Sequence, residues 1–162
     1  MKIDLFATTC FSIETDSFGI VDQQPVAVVP FEDGIAKIEN RNKQTIYVVP
    51  LDKNIKCYKP NGKDEESLCD ALLVCARSPQ YDFYFVELKD KDKKSVSEGT
   101  EQLKTTILIF RNSYNLSCLS KKMAFLANKR HPFYQHGQTE LMERFRKETG
   151  FRLNICAVIP IK

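Results

Sequence analysis

The sequence predicts an α/β fold with a mixed central β-sheet flanked by helices. Two observations lead there: β-rich runs crowd the middle of the chain, and two stretches with helical spacing of apolar residues interleave with those runs. At 162 residues with 43% hydrophobic content, the chain fits a single domain over 1–162 that can bury a core without disulfides or structural metals.

The elements follow in order. Short apolar runs alternate with polar breaks over the first thirty residues, and AVVPF predicts a strand leading into Pro30. EDGIAKIENRNK suits one or two helical turns or a strand pair, with Gly34 counting against the helix. From Gln44 onward TIYVVPL and IKCYK are β-rich, and KPNGKDEE forms a polar turn around Pro60 and Asn61-Gly62. SLCDALLVCA and YDFYFVELK predict an antiparallel hairpin with RSPQ as its turn signal, and a loop over 76–81 sets Cys75 opposite Asp82.

The charged run DKDKKSVSEGTEQ opens a helix near Ser95 or Ser97, where Leu103, Ile107, Phe110 and Tyr114 recur at helical spacing. Ser95 and Glu98 fit a capping box, although Gly99 weakens that first turn. KKMAFLANK then reads as a strand, HPFYQHGQ as a loop, ELMERFRKETG as an amphipathic helix stopped by Gly150, and FRLNICAVIPI as the closing strand.

Charge and cysteine usage exclude more than they assign. Lys and Arg number 24 against 21 Asp and Glu, and the net charge of +3 permits a nucleic-acid partner without requiring one. The six cysteines, Cys10, Cys57, Cys69, Cys75, Cys118 and Cys156, contain no C-x-x-C pair, so most of them read as small buried hydrophobes in a reducing compartment. Asp4 interrupts the N-terminal apolar run before signal-peptide length, and no apolar stretch is long enough to span a membrane. A cytoplasmic protein with no membrane association is the expectation.

The chemistry concentrates in YFVELKD. Glu87 and Lys89 are two apart, so on a strand they share a face, and the apolar residues around them make buried charges costly unless partnered. The hairpin register that pairs Cys75 with Asp82 sets Asp70 opposite Glu87, and two facing carboxylates need a counter-charge. Mg²⁺ or Mn²⁺ supplies it: both prefer hard oxygen ligands, two carboxylates suffice, the Leu88 carbonyl can add a third, and Lys89 can assist the attacking water. Phosphodiester hydrolysis is the reaction such a centre suits.

With Asp70 on one strand and Glu87-Leu88-Lys89 on the next, the sequence resembles the PD-(D/E)XK, or restriction-endonuclease-like, nucleases. The likeness covers about 44–127, because the family core continues with a helix and a further strand, as EQLKTTILIF and KKMAFLA do. It implies a restriction-endonuclease-like core and a nuclease acting on DNA or RNA, with Asp70, Glu87, Lys89 and Gln102 as its site residues. Gln102 matches the polar residue, often Gln, that the helix supplies in many relatives. Cys69 stands where the motif's name has Pro, and Thr106 replaces the aromatic of the RecB-like Gln-x-x-x-Tyr signature. The acid that some members carry on a preceding helix would be Glu32 or Glu39.

Other readings stand beside these. Glu87 and Lys89 can form a structural salt bridge with Asp70 exposed, and Gln102 can be a solvated helix residue. The alternative function is a nuclease-like module that no longer cuts and binds nucleic acid or protein. His131 and His136 flank a turn and are assigned no chemistry. KKMAFLANKR with Lys91, Lys93, Lys94 and Lys104 can line a phosphate-binding surface, and Phe125, Phe133 and Tyr134 can stack on bases. A homodimer or a partner protein is expected to supply target selectivity.

Overall fold

The β-rich middle of the chain forms the sheet that positions the site. The computed structural model describes residues 10–77, 79–89, 94–129 and 137–162. A six-stranded sheet runs in the order β1 (Phe11–Ile13), β5 (Ile46–Pro50), β6 (Ala71–Arg77), β7 (Gln80–Lys89), β8 (Lys121–Asn128), β9 (Arg152–Ile155). β5, β6 and β7 pair antiparallel, whereas β7, β8 and β9 run parallel. Parallel neighbours require crossovers, and α1 (Lys94–Ser113) and α2 (Thr139–Thr149) lie in the two that this sheet contains.

Both helices pack on one face. Leu103, Ile107 and Phe110 of α1 and Phe145 of α2 join Leu72, Val74, Phe83, Phe85 and Leu153 in one core. The other face is covered by a four-stranded sheet in the order β10 (Val158–Pro160), β4 (Ala36–Glu39), β2 (Ser17–Asp22), β3 (Val26–Val29). Phe18, Ile20, Ile38 and Ile159 of that sheet meet Val48, Leu73, Tyr84 and Val86 in a second core. The protein is therefore α/β with mixed sheets, and among the described residues helices cover one face of the large sheet, not both.

Burial on both sides explains why YFVEL lacks a clean alternation of apolar and polar residues. Phe83 and Phe85 face the helices, and Tyr84, Val86 and Leu88 face the small sheet.

Several expected elements form differently. IKCYK makes no strand, because β5 is already bordered by β1 and β6 and offers no free edge; only Tyr58 bridges, to Glu65. The 31–39 stretch resolves into a 3-10 turn, Phe31–Asp33, followed by β4. The hairpin is tighter than a 76–81 loop, since pairing runs on to Arg77 opposite Gln80. α1 starts at Lys94, which puts Ser95 inside the helix rather than at its cap, and it ends before Tyr114. The closing strand divides: β9 joins the large sheet, and β10 pairs with β4 after the Ala157 carbonyl accepts from the Lys37 amide at 2.7 Å. Gly150 ends α2 as expected, in the left-handed region with φ 78°.

All six cysteines are free; Cys57, Cys69 and Cys75 are buried, Cys10 and Cys156 are partly so, and Cys118 is exposed. No helix among the described residues is long and apolar enough to cross a membrane. His131 and His136 lie outside the described residues.

Candidate metal centre at the open end of the hairpin

The β6–β7 ladder ends with Ala71 opposite Val86, so one step further Asp70 stands opposite Glu87, as the register of Cys75 with Asp82 requires. Here the chain peels away from β7. The Cys69 amide donates to Thr106 Oγ1 at 2.8 Å and the Asp70 carbonyl accepts from the Leu51 amide at 2.9 Å. The Leu88 amide, beyond the end of the ladder, donates to Asp70 Oδ2 at 2.6 Å.

Strand alternation turns Glu87 and Lys89 toward the helices, in line with Phe83 and Phe85. Lys89 Nζ lies 3.2 Å from Glu87 Oε1; the Glu87 side chain is 3% exposed and that of Lys89 22%. Glu87 Oε2 is buried without a hydrogen-bond partner. α1 passes over this pair at Gly99, where a Cβ would lie 2.5 Å from Leu126 Cδ1, 3.3 Å from Glu87 Cγ and 3.5 Å from Lys89 Cε. The glycine that weakens the helix start in sequence terms is what lets the helix close on the carboxylate.

Burial dominates the electrostatics. It pushes the Asp70 carboxyl up to about 7, helped by the charges of Asp22 and Asp52 and opposed by the Leu88 amide and Lys89. It pushes Glu87 up to about 8, helped by Asp70 and opposed by the Lys89 ammonium. One adjacent ammonium does not offset the removal of two carboxylates from water. The alternative reading, in which Asp70 is exposed beside a Glu87–Lys89 pair, does not hold for Asp70: the residue is 6% exposed, because the segment before β6 is drawn under α1.

Gln102 is not a free solvated residue. Its Nε2 donates to Ser67 Oγ at 2.8 Å, three residues before Asp70, and its Oε1 is buried without a partner. The structure thus gathers Asp70, Glu87 and Lys89 and sets Gln102 beside the segment that leads into Asp70. Glu32 is exposed in its 3-10 turn and Glu39 engages Arg41 at 3.8 Å, so neither is the acid whose charge bears on Asp70. Asp22 and Asp52 are, and the sequence reading missed both. The pairing of Pro50 with Ala71 could have revealed Asp52; Asp22 closes β2, in the region least legible from sequence.

Among the described residues the lysines of the expected basic surface are spread apart, and Arg130 lies outside the described residues. Lys121 and Lys122 open β8 and Lys129 follows its other end, roughly 20 Å away at the usual strand rise. Lys104 is engaged by Glu148 at 2.7 Å, and Phe125 is core, stacked on Tyr84. Phe133, Tyr134, Lys91, Lys93 and the Lys94 side chain lie outside the described residues. A cavity of about 250 Å³ near the turn end of the hairpin, lined by Tyr47, Val49, Val74, Phe83 and Leu116 among others, includes none of the site candidates.

Among the described residues no three His, Cys, Asp or Glu side chains gather into a metal-holding group. The donors on offer are two carboxylates and a carbonyl. In an extended strand the N–H and C=O of one residue point to the same side, so the Leu88 carbonyl shares the side of the amide that reaches Asp70. An all-oxygen set containing an orphaned, buried carboxylate oxygen fits Mg²⁺ or Mn²⁺, which retain waters in the remaining positions. No protein-family model, curated protein or solved structure matches the chain.

Proposed function

We propose that the chain is a metal-dependent nuclease of the PD-(D/E)XK type, hydrolysing phosphodiester bonds in DNA or RNA. The observation that carries this reading is the meeting of two buried carboxylates, Asp70 and Glu87, with Lys89 on one oxygen of Glu87 and the other oxygen unpartnered. The succession of hairpin, helix and parallel strand in β6–β7, α1 and β8 supports a restriction-endonuclease-like core.

Asp70, Glu87 and the Leu88 carbonyl would hold Mg²⁺ or Mn²⁺, which when bound supplies Lewis acidity and a more acidic water. The chain's own groups prepare that event. The Leu88 amide fixes Asp70 through Oδ2, and Lys89 fixes Glu87 through Oε1, leaving Oε2 for the ion. Lys89, the more exposed member of its pair, reaches toward solvent and orients the attacking water. Gln102 Oε1 offers an acceptor for a water hydrogen. Gly99 and Leu126 shield Glu87 from bulk water.

The Leu88–Asp70 hydrogen bond also favours a second reading, in which Asp70 caps the strand end, Glu87 and Lys89 are a structural pair, and the module binds nucleic acid or protein without cutting. Plasmid, linear and single-stranded DNA and RNA incubated with Mg²⁺ or Mn²⁺ separate the two. Cleavage by the native chain that disappears in both Glu87→Ala and Lys89→Ala is the expected result, and cleavage that survives either change rejects the assignment. An absence of Mn²⁺ binding by calorimetry favours the capping reading.

A further inference from the structure

We infer that Thr106 is a positioning residue: its hydroxyl sets where Asp70 sits relative to Leu88 and Glu87. The consequence for metal affinity rests on the nuclease reading; the positioning itself does not. Thr106 is fully buried on α1, and its Oγ1 donates to the Gln102 carbonyl of the preceding turn at 2.7 Å. A hydroxyl has one proton, so what remains for the rest of the protein is an acceptor. That acceptor takes the Cys69 amide at 2.8 Å.

The need for it follows from the ladder. Where the chain peels from β7, the Cys69 amide turns away from the strand and, without Thr106, is a buried donor with no partner. One turn earlier on the same helix, Gln102 holds Ser67, so 67–69 is tied to α1 at two points. The Leu51 amide holds the Asp70 carbonyl from β5's side. With its backbone fixed on both flanks, Asp70 meets the Leu88 amide at 2.6 Å and faces Glu87.

Thr106→Val keeps the shape and removes the acceptor, and Thr106→Ser keeps the acceptor. Amide hydrogen exchange at Leu88 is measured against Phe85 in the same strand. Loss of one hydrogen bond predicts that Leu88 exchanges about tenfold faster relative to Phe85 in Thr106→Val, with the native ratio kept in Thr106→Ser. Equal acceleration of both amides is what a merely structural role gives, and it overturns the proposal, as does no change. In the unaltered protein the Cys69 amide must itself be protected; fast exchange there refutes the proposal without any variant, should Thr106→Val fail to fold. Mn²⁺ calorimetry is the second arm, where losing an outer-shell support predicts affinity weakened about 10- to 100-fold in Thr106→Val and restored in Thr106→Ser. Native affinity in Thr106→Val overturns the proposal. If the native chain takes up no Mn²⁺, the nuclease reading falls, and the Leu88 ratio still decides Thr106.

Discussion

The helix-facing side of β7 has two halves that are chemically opposite, although Phe85 in one and Glu87 in the other are both buried. Toward the turn, Phe85 is enclosed edge-on by Phe110 at 5.1 Å and by Phe151 at 5.5 Å between ring centroids. Toward the open end, Glu87 is 2% exposed under a helix that has narrowed from Phe110 through Ile107 and Leu103 to Gly99. The first half is what packing alone selects. The second puts two acids and an ammonium where a single aliphatic side chain would cost far less. Helix and strand are matched in both halves, so the polar half is built into the fold and is not a packing defect.

If the halves do different jobs, Glu87→Gln and Phe85→Ala have opposite consequences. Glu87→Gln should lower Mn²⁺-dependent cleavage by roughly a thousandfold or more, the scale of losing a principal electrostatic group in a site. Its melting temperature near neutral pH should hold or rise, because a neutral amide replaces a buried acid whose pKa is pushed up to about 8. Phe85→Ala should cost about 3–5 kcal/mol of stability in urea unfolding, the range for deleting a buried ring. Comparable destabilisation by both changes would make Glu87 a structural residue and erase the contrast.

The open half should also make stability depend on pH in the direction opposite to an ordinary ion pair. Asp70 and Glu87 titrate higher in the folded chain than their usual 3.8 and 4.5, at about 7 and about 8. Over that interval the folded state holds more protons than the unfolded state. Their stabilising contribution is complete below about pH 4 and is lost as pH rises through about 7 and about 8. Thermal melts in chelator should fall across that window, fall less steeply in Glu87→Gln, where Asp70 still titrates high, and recover with Mn²⁺, whose shift should grow with pH. A metal-free melting temperature that rises between about pH 5 and about 8 contradicts the burial of these acids.

The halves were unequally legible in the sequence. Period-two spacing placed Glu87 and Lys89 on one face, and hairpin register alone set Asp70 against Glu87, because both depend on local geometry. Asp22, Gly99 and Thr106 were not assigned to the site, since each reaches it across the fold from another sheet or from α1. The failures in the fold have the same origin. IKCYK has strand composition, yet β5 has no open edge to offer it, and FRLNICAVIPI is one apolar run divided between two sheets. Propensity marks where a strand is able to form; the availability of a neighbour decides whether it does.

Gly99→Ala probes the seam between the halves with a smaller expected effect. The methyl gains up to about 1 kcal/mol of helix propensity. It meets the flexible end of Leu126 at 2.5 Å and Glu87 Cγ at 3.3 Å, so one neighbour can swing aside and the other must shift. Global stability should change by less than about 1 kcal/mol while, on the proposed function, Mn²⁺ affinity falls about tenfold. Unchanged affinity would show that the closeness of α1 to Glu87 does not set the geometry of the site.

Lys104→Ala should do least. Lys104 Nζ pairs with Glu148 Oε2 at 2.7 Å, joining α1 to α2 at the surface, and that hydrogen bond raises the Lys104 pKa. Exposed pairs of this kind contribute under about 1 kcal/mol and weaken with salt, so urea unfolding should shift by about 0.5 kcal/mol or less. Because Glu148 already answers its charge, Lys104 should add nothing to phosphate binding. The salt dependence of single-stranded DNA affinity should therefore be the same in Lys104→Ala and the native chain, whereas a lysine on the phosphate path lowers that slope by about one. A drop of that size would place nucleic acid along the outer face of α1, extending the functional half of the molecule well beyond the open end of the hairpin.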